Sequence, residues 1–245
     1  MSYSVILPTL NENDHIEDLI KSISDIFFSQ NILFEILVVD DNSTDGTRDT
    51  VDAFSKINNF VKIIDRKYKK KNLAESINDG IKNSIYDFII WMDADFQHPP
   101  IYILEFIKLS KQYNTIICSR FLSNSKRYFN DDKIKKKINE NQSFFYNKLC
   151  NFFLFKDLTD YTSGFICLKK ELLNNYSLRG FYGDYFVNLI VHLKHKGVKI
   201  HEIPFKDGLR ASGFSKTVAR VDPRYLYLCL KYFFVLVRNI FIKFI

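Results

Sequence analysis

An apolar run, Phe88-Ile89-Ile90-Trp91-Met92, ends at Asp93-Ala94-Asp95. In extended backbone alternate side chains share a face, so both carboxylates would meet one ligand. Two carboxylates form a hard oxygen donor set suited to Mg²⁺ or Mn²⁺, with water and phosphate oxygens completing the shell. A cation bridging a diphosphate would neutralise charge as that group leaves. Three further polar clusters follow apolar runs: Pro8–Glu12, Asp40–Thr47 and Ser119-Arg120. Asp40-Asp41 would either hold metal or accept hydrogen bonds from a nucleoside. Asp45 would cap a helix opening at Asp45-Gly46-Thr47, leaving Asp41 free. Arg120 offers a planar fork for phosphate oxygens. Asp-x-Asp alone is common on protein surfaces; its weight here comes from company.

The elements that must position these clusters alternate in type. Strands are expected at Ser4–Thr9, Phe34–Val39, Val61–Ile64, Phe88–Met92 and Thr115–Ser119. Helices are expected at Asp14–Ser29, from Asp45-Gly46-Thr47 to about Lys56, at Leu73–Ser84 and at Pro99–Tyr113. Asp14–Ser29 has apolar residues at 16, 19, 20, 23, 26 and 27, the period of an amphipathic helix. Strands joined by helices of this length make right-handed crossovers and an α/β, mainly parallel sheet flanked by helices. Ligands bind such sheets beyond the carboxyl ends of the strands, so all four clusters converge on one edge. Downstream, Phe165–Leu168 reads as a strand, Phe181–Lys196 as a helix, Val198–Ile203 as a strand and Pro204–Thr217 as a loop.

What the chain lacks is also informative. It contains no Gly-x-x-x-x-Gly-Lys-Ser/Thr and no Gly-x-Gly-x-x-Gly after a strand, which disfavours a P-loop kinase and a dinucleotide oxidoreductase. It has no hydrolase elbow of the Gly-x-Ser-x-Gly type. Cys118, Cys150, Cys167 and Cys229 have no Cys-x-x-Cys spacing, so free thiols in a reducing compartment are expected rather than zinc or disulfides. His192 and His195 share a helix face and read as a solvated polar edge. The N-terminus enters a strand at once, without the pattern of a secretory signal.

Taken in order, the motifs resemble the family 2 inverting glycosyltransferases of GT-A (Rossmann-like) fold, and among them the polyprenyl-phosphate sugar synthases that include dolichyl-phosphate mannosyltransferases. The stretches that carry the resemblance are Pro8-Thr9-Leu10-Asn11-Glu12, Val39 to Thr47, Asn72-Leu73-Ala74 with Gly80, Asp93 to Pro100, Ser119-Arg120, Asp160 with Ser163-Gly164-Phe165, and Arg210 to Lys216. The resemblance implies that Pro8, Leu10, Glu12, Val39 and Asp41 contact the nucleoside. It implies that Asp93, Ala94 and Asp95 hold diphosphate, sugar and a Mg²⁺ or Mn²⁺ ion, with Gln97 as a further metal ligand. Arg120, Arg210 and Lys216 would bind phosphates of donor or acceptor, the last two on a loop that closes over nucleotide. Leu10 stands where an aromatic residue is usual, and Asn139 where an Arg is usual. The implied reaction moves a sugar, mannose from GDP-mannose in the leading case, to a polyprenyl or dolichyl phosphate. The alternative is another nucleotide sugar of the UDP-glucose kind, or a saccharide acceptor with Asp160 or Asp184 as base.

Charge divides the chain. Residues 1–125 carry 13 Lys and Arg against 18 Asp and Glu, whereas residues 126–245 carry 22 against 10. The basic half holds Lys-Lys-Lys at 135–137, the aromatic stretch Phe144–Phe155, and a terminal segment, 225–245, that is apolar apart from Lys231, Arg238, Asn239 and Lys243. Arg224, Lys231 and Arg238 recur every seven residues, a narrow cationic stripe beside a wide apolar face. Such a helix is expected to lie in a membrane interface rather than cross it. The expected organisation is a glycosyltransferase domain over 1–217 and a membrane-associated helix over 218–245. The expected setting is the cytoplasmic face of a membrane, with nucleotide sugar and lipid phosphate as partners and no nucleic acid.

Overall fold

The computed structural model describes residues 1–125, 133–180, 183–206, 208 and 223–243; of 133–142, 223–231 and 243 only the helical backbone is described. Seven strands form one sheet: β1 (Tyr3–Thr9), β2 (Phe34–Asp40), β3 (Val61–Asp65), β4 (Phe88–Trp91), β5 (Thr115–Ser119), β6 (Ile166–Lys169) and β7 (His201–Pro204). Their order is β3-β2-β1-β4-β6-β5-β7. All pairings are parallel except those of β6, which runs antiparallel to both β4 and β5. This is the expected mainly parallel sheet, with a single reversed strand.

Among the described residues seven α-helices flank it: α1 (Ile16–Ser29), α2 (Thr47–Ile57), α3 (Leu73–Asn83), α4 (Tyr102–Leu109), α5 (Lys133–Phe153), α6 (Asp184–His195) and α7 (Pro223–Lys243). The five inner strands are buried on both faces, whereas the edge strands β3 and β7 are only partly covered, so alternate residues of the inner strands feed two separate cores. Tyr3, Val5 and Leu7 join Ile36, Val38 and Ile90 under α1 and α4. Ile6, Leu37, Val39, Ile89 and Trp91 join α3, α5 and α6 on the other side. A Cβ on Gly80 would lie 2.5 Å from Cγ2 of Ile6, so α3 approaches β1 as closely as it does only because residue 80 is glycine.

Most element ends shift by a residue or two, and some elements differ from the sequence reading by more. The strand expected at Val198–Ile203 begins at His201. Gly197 adopts φ 71° and the Val198 N–H returns to the Leu193 carbonyl, so these residues finish α6 rather than start β7. The helix expected over Pro99–Tyr113 is confined to Tyr102–Leu109. The segment around Lys135–Phe153, read only as basic and then aromatic, is the 21-residue helix α5.

Helix α7 lies against α6. Leu236 and Asn239 are buried, and Asn239 Nδ2 donates to Asn188 Oδ1 at 2.9 Å. Elsewhere along the helix Phe233, Phe234, Phe241 and Ile242 are exposed. Tyr146 of α5 meets Tyr232 of α7, with ring centroids 4.9 Å apart, and α5 exposes Phe144, Phe145, Phe152 and Phe153. No helix among the described residues is long and apolar enough to cross a membrane.

Candidate active site

The carboxyl ends of β1 and β2 are lashed together. Asn11 and Asn42 both take left-handed backbone, φ 57° and 65°, which asparagine tolerates better than most residues. That turn lets the Asn11 N–H reach Ser43 Oγ at 2.9 Å, while Asn11 Oδ1 accepts from the Thr44 N–H at 2.8 Å. Asp45 Oδ1 accepts from the Thr47 N–H at 3.0 Å and Oδ2 from the Asn13 N–H at 3.0 Å. The N-cap of α2 is Gly46, at φ 95°, rather than Asp45 as expected; from one residue earlier Asp45 still holds the first helical N–H and also pins the β1–α1 loop. Glu12 lies 3.0 Å from His15 Nε2, and the His15 ring faces Phe96 at 6.1 Å.

Asp41 is not free, contrary to expectation. Asn72 donates its N–H to Asp41 Oδ2 at 2.7 Å, and the Arg66 guanidinium donates to Oδ1. Burial pushes the Asp41 carboxyl upward, opposed by these donors. A metal role for Asp41 is therefore set aside, since its carboxylate already serves a cation and a backbone amide. Arg66, unnoticed in the sequence, is wholly buried and also meets Glu75, Ser76 and Asp79. Its signal was available: an arginine directly after a strand, with acidic residues at 75 and 79 on one face of the next helix. Val39 is fully buried in the core, so a nucleoside could reach it only through its backbone. Pro8 sits opposite Val39 in the parallel register, and Pro8 and Leu10 are half-buried at the strand end.

The Asp93–Gln97 segment is not extended. Phe96 has φ 63°, a costly conformation for a bulky residue, and Gln97 donates its N–H back to Asp95 Oδ1 at 3.0 Å. The alternation argument therefore fails beyond Asp93. Asp93 is half-exposed, whereas Asp95 and Ala94 are buried within a turn. His98 organises that turn. Its Nδ1 accepts the Asp93 N–H at 2.9 Å, so the neutral ring carries its proton on Nε2. The ring stacks on Phe165 at 4.8 Å and meets Phe205 edge-on. Burial lowers its pKa to about 4, against the pull of Asp95, so it is a neutral hydrogen-bonding strut near neutral pH. Gly208 donates its N–H to the Gln97 carbonyl at 2.9 Å, and a Cβ there would run into the Phe96 carbonyl oxygen.

Arg120 follows β5 and turns onto Asp160. Nε reaches Oδ2 and Nη2 reaches Oδ1, both at 2.7 Å, and Nη2 also donates to Thr162 Oγ1 at 2.8 Å. Burial alone would raise the Asp160 carboxyl; the guanidinium and the N–H groups of Arg120 and Thr162 outweigh it and hold the carboxyl below its usual range. Asp160 is therefore an ionised, fully engaged anchor and unsuited to act as a base. Glu202 fixes the same turn by accepting the N–H groups of Thr159 and Asp160. Asn147 of α5 donates to Thr162 Oγ1 at 3.1 Å, joining the aromatic helix to this network. Arg210 and Lys216 lie outside the described residues.

Comparison with known proteins gives these arrangements a context. The profile of Glycosyl transferase family 2 matches residues 4–177. A dolichol-phosphate mannosyltransferase of Pyrococcus furiosus is 32% identical over 227 residues, covering 92% of this chain. The chain spans 62% of that relative's length. The Saccharomyces cerevisiae protein of the same name is 26% identical over 92% of this chain and 85% of its own. A solved glucosyl-3-phosphoglycerate synthase from Mycobacterium tuberculosis, in complex with Mn²⁺, UDP-glucose and phosphoglyceric acid, superposes with TM-score 0.67 at 16% identity. It covers 98% of this chain and 79% of that one, a likeness of fold.

Proposed function

Because the chain belongs to glycosyl transferase family 2, we propose that it transfers mannose from GDP-mannose to a dolichyl or other polyprenyl phosphate at a membrane surface. The relatives of that name support the sugar and the acceptor class. The observation that carries the reading is a physical connection. The Arg120–Asp160 pair beside the strand ends is hydrogen-bonded through Thr162 to Asn147, on a helix whose outer side exposes four phenylalanines. A polar donor edge and an aromatic face suited to lipid thus belong to one network.

The donor set at Asp93, Asp95 and Gln97 fits a hard divalent cation: two carboxylates and an amide oxygen within one turn. Among the described residues no three His, Cys, Asp or Glu side chains form a metal site, so diphosphate oxygens would complete the shell. When bound, Mg²⁺ or Mn²⁺ would supply charge neutralisation for the departing nucleoside diphosphate. The mycobacterial relative contains Mn²⁺.

The chain's own residues then have defined tasks. Pro8, Leu10, Glu12 and the Val39 backbone line the nucleoside side, with Asp41 holding Asn72 beneath it. His98 sets the turn that presents Asp93 and Asp95. Arg210 and Lys216 provide cations for phosphate. An oxygen of the acceptor phosphate attacks the anomeric carbon as its bond to the diphosphate breaks, inverting that centre. A phosphate monoester is already largely ionised near neutral pH, so the step needs no protein base. Alignment and electrostatics carry the rate. The organisation proposed is a transferase domain over 1–217, with the segment 218–245 at the lipid surface on the cytoplasmic side.

The test is incubation of the protein with GDP-mannose or UDP-glucose, polyprenyl phosphate and Mg²⁺ or Mn²⁺, followed by extraction of the lipid product. Mannosyl phospholipid formed from GDP-mannose supports the reading. Product from UDP-glucose alone, or transfer only to a free saccharide, overturns it.

A further inference from the structure

A cavity lies away from the donor edge, between the segment after β6, the C-terminal half of α6, and α7. Its volume is about 430 Å³, and Arg179, Arg238, Asn188, Asn239, Tyr176 and His192 contribute to its walls. The topology sets it apart. Strand β6 pairs Ile166 with Trp91 at the catalytic edge and Lys169 with Phe88 at the opposite end, so the chain leaves β6 on the far side. His192 and His195 lie in the last turn of α6, away from Asp184 at its start.

The lining is cationic and amide-rich. It contains two arginines and no Asp or Glu. Among the described residues neither arginine makes an ion pair. Arg238 Nη2 is held instead by the neutral Asn188 Oδ1 at 2.6 Å, which also accepts from the buried Asn239. Asn188 Nδ2 in turn donates to the Arg179 carbonyl at 2.8 Å, fixing the backbone that carries the second arginine. Tyr176 stacks on His192 at 3.8 Å as an aromatic wall. The carbonyls of His192, Leu193 and Lys194 at the end of α6 all accept backbone N–H groups, so their negative ends are already occupied. Planar forks held open by amides, without carboxylates, match the oxygens of a phosphate.

The surroundings indicate where that phosphate comes from. Phe234, Arg238, Phe241 and Ile242 are spaced by four, three and one along α7, and so share one side of the helix. Phe234, Phe241 and Ile242 are exposed, and Ile242 also lines the cavity. A guanidinium between exposed rings is the arrangement that places apolar groups among acyl chains and charge at the head groups. We propose that this cavity binds the phosphate of an anionic phospholipid headgroup, seating α6 and α7 on the bilayer separately from the acceptor that reacts. The proposal rests on the membrane-surface reading above.

The experiment is vesicle binding by the full chain, comparing phosphatidylcholine alone with phosphatidylcholine containing phosphatidylglycerol. Phosphatidylglycerol should tighten binding, and Arg179→Gln/Arg238→Gln should remove about 30-fold of affinity, at roughly 1 kcal/mol per arginine near an anionic surface. Ser177→Glu, at an exposed position on the cavity rim, should weaken the same binding without touching either arginine. The equal charge loss Lys108→Gln/Lys111→Gln, on and just after α4 on the other face of the sheet, should leave it within about twofold. Wild-type binding by both cavity variants, or an equal loss in the α4 control, overturns the proposal. Protection against heat by inorganic phosphate that needs the arginines, with vesicle binding unaffected by them, also overturns it by assigning the site to a soluble anion. Arginine-dependent binding to phosphatidylglycerol vesicles, with none to phosphatidylcholine alone, upholds the headgroup site and removes the aromatic-face reading instead.

Discussion

Arg120 and Asp160 form a two-pronged ion pair, Nε to Oδ2 and Nη2 to Oδ1, each 2.7 Å, with Asp160 wholly buried and Arg120 only 16% exposed. The sequence suggested two separate tasks, phosphate binding for Arg120 and base catalysis for Asp160. The geometry joins them in one: the carboxylate orients the guanidinium and the 159–162 turn at the end of β5.

Breaking this pair from either side should be costly. Arg120→Gln leaves a buried carboxylate without its cation and is expected to lose about 3–5 kcal/mol of stability in urea unfolding at neutral pH. Asp160→Asn should lose less, because it buries no lone anion, yet transfer should also fall as Arg120 loses its orientation. The pH dependence has a defined sign. The folded Asp160 carboxyl lies below its unfolded value, so its stabilisation is present above the unfolded pKa of about 3.9 and disappears as pH falls through the folded one. Asp160→Asn should flatten the acid limb of stability in that range.

His98 titrates in a different window. Its folded pKa is about 4 and its unfolded value about 6.5. Between these the unfolded chain takes up a proton that the folded protein refuses, so stability falls as pH drops from about 6.5 to 4. The ceiling for this single group is on the order of 3 kcal/mol. Denaturant titrations of wild type and His98→Gln at neutral pH and near pH 5 should show the smaller loss in the variant. An equal loss in both would remove His98 as the cause.

Much of the sheet was legible because its inner strands are buried on both faces and bounded by polar residues. Runs such as Phe34–Val39 and Phe88–Trp91 admit few other readings. The gathering of Pro8–Glu12, Asp40–Thr47, Asp93–His98 and Arg120 at the strand ends followed from topology alone. What escaped was pairing across distance. Nothing local marks Arg66 as the partner of Asp41, or Asp160 as the partner of Arg120 forty residues earlier. The bend at Phe96 was hidden because an Asp-Ala-Asp run after a strand reads as more strand. Helix α5 escaped because its charged first half and aromatic second half give only a blurred helical stripe.

The Asp93–Gln97 turn should separate chemistry from folding. Asp93 is half-exposed, so Asp93→Asn should change stability by no more than about 0.5 kcal/mol. Asp95→Ala should abolish lipid-linked sugar formation, and Asp93→Asn should reduce it by about 100-fold or more, with circular dichroism unchanged. Wild-type turnover in Asp95→Ala would remove the turn from the mechanism.

Two glycines separate packing from site geometry. Gly80→Ala forces a methyl against Ile6 in the core and is expected to cost about 1–3 kcal/mol in urea unfolding, with transfer preserved under native conditions. Gly208→Ala forces one against the Phe96 carbonyl, within a loop contact rather than a core. It should leave global unfolding nearly unchanged while lowering turnover, because the Gly208–Gln97 hydrogen bond braces the carboxylate turn.

Arg66 provides the most demanding comparison. Its side chain is completely buried and donates to Asp79 through Nε at 2.8 Å, to Ser76 through Nη1 at 2.8 Å, to Glu75 through Nη2 at 3.0 Å, and to Asp41. Only a planar group with donors along three edges satisfies these acceptors together, so Arg66→Lys, though it keeps the charge, cannot restore the set. Both Arg66→Lys and Arg66→Met should lose about 3–5 kcal/mol in denaturant unfolding, the methionine variant more, since it strands Asp41 without a cation in place, while Asp79 keeps Lys69 at 2.9 Å. Asp41 also accepts the Asn72 N–H, and the Asn72 side chain caps α3 at the Glu75 N–H. Loosening Arg66 therefore moves the loop beside the proposed nucleoside pocket. In the folded fraction of Arg66→Lys, KM for the nucleotide sugar should rise while KM for polyprenyl phosphate stays near wild type. Equal rises in both would show a general loss of structure and no specific support of the donor side.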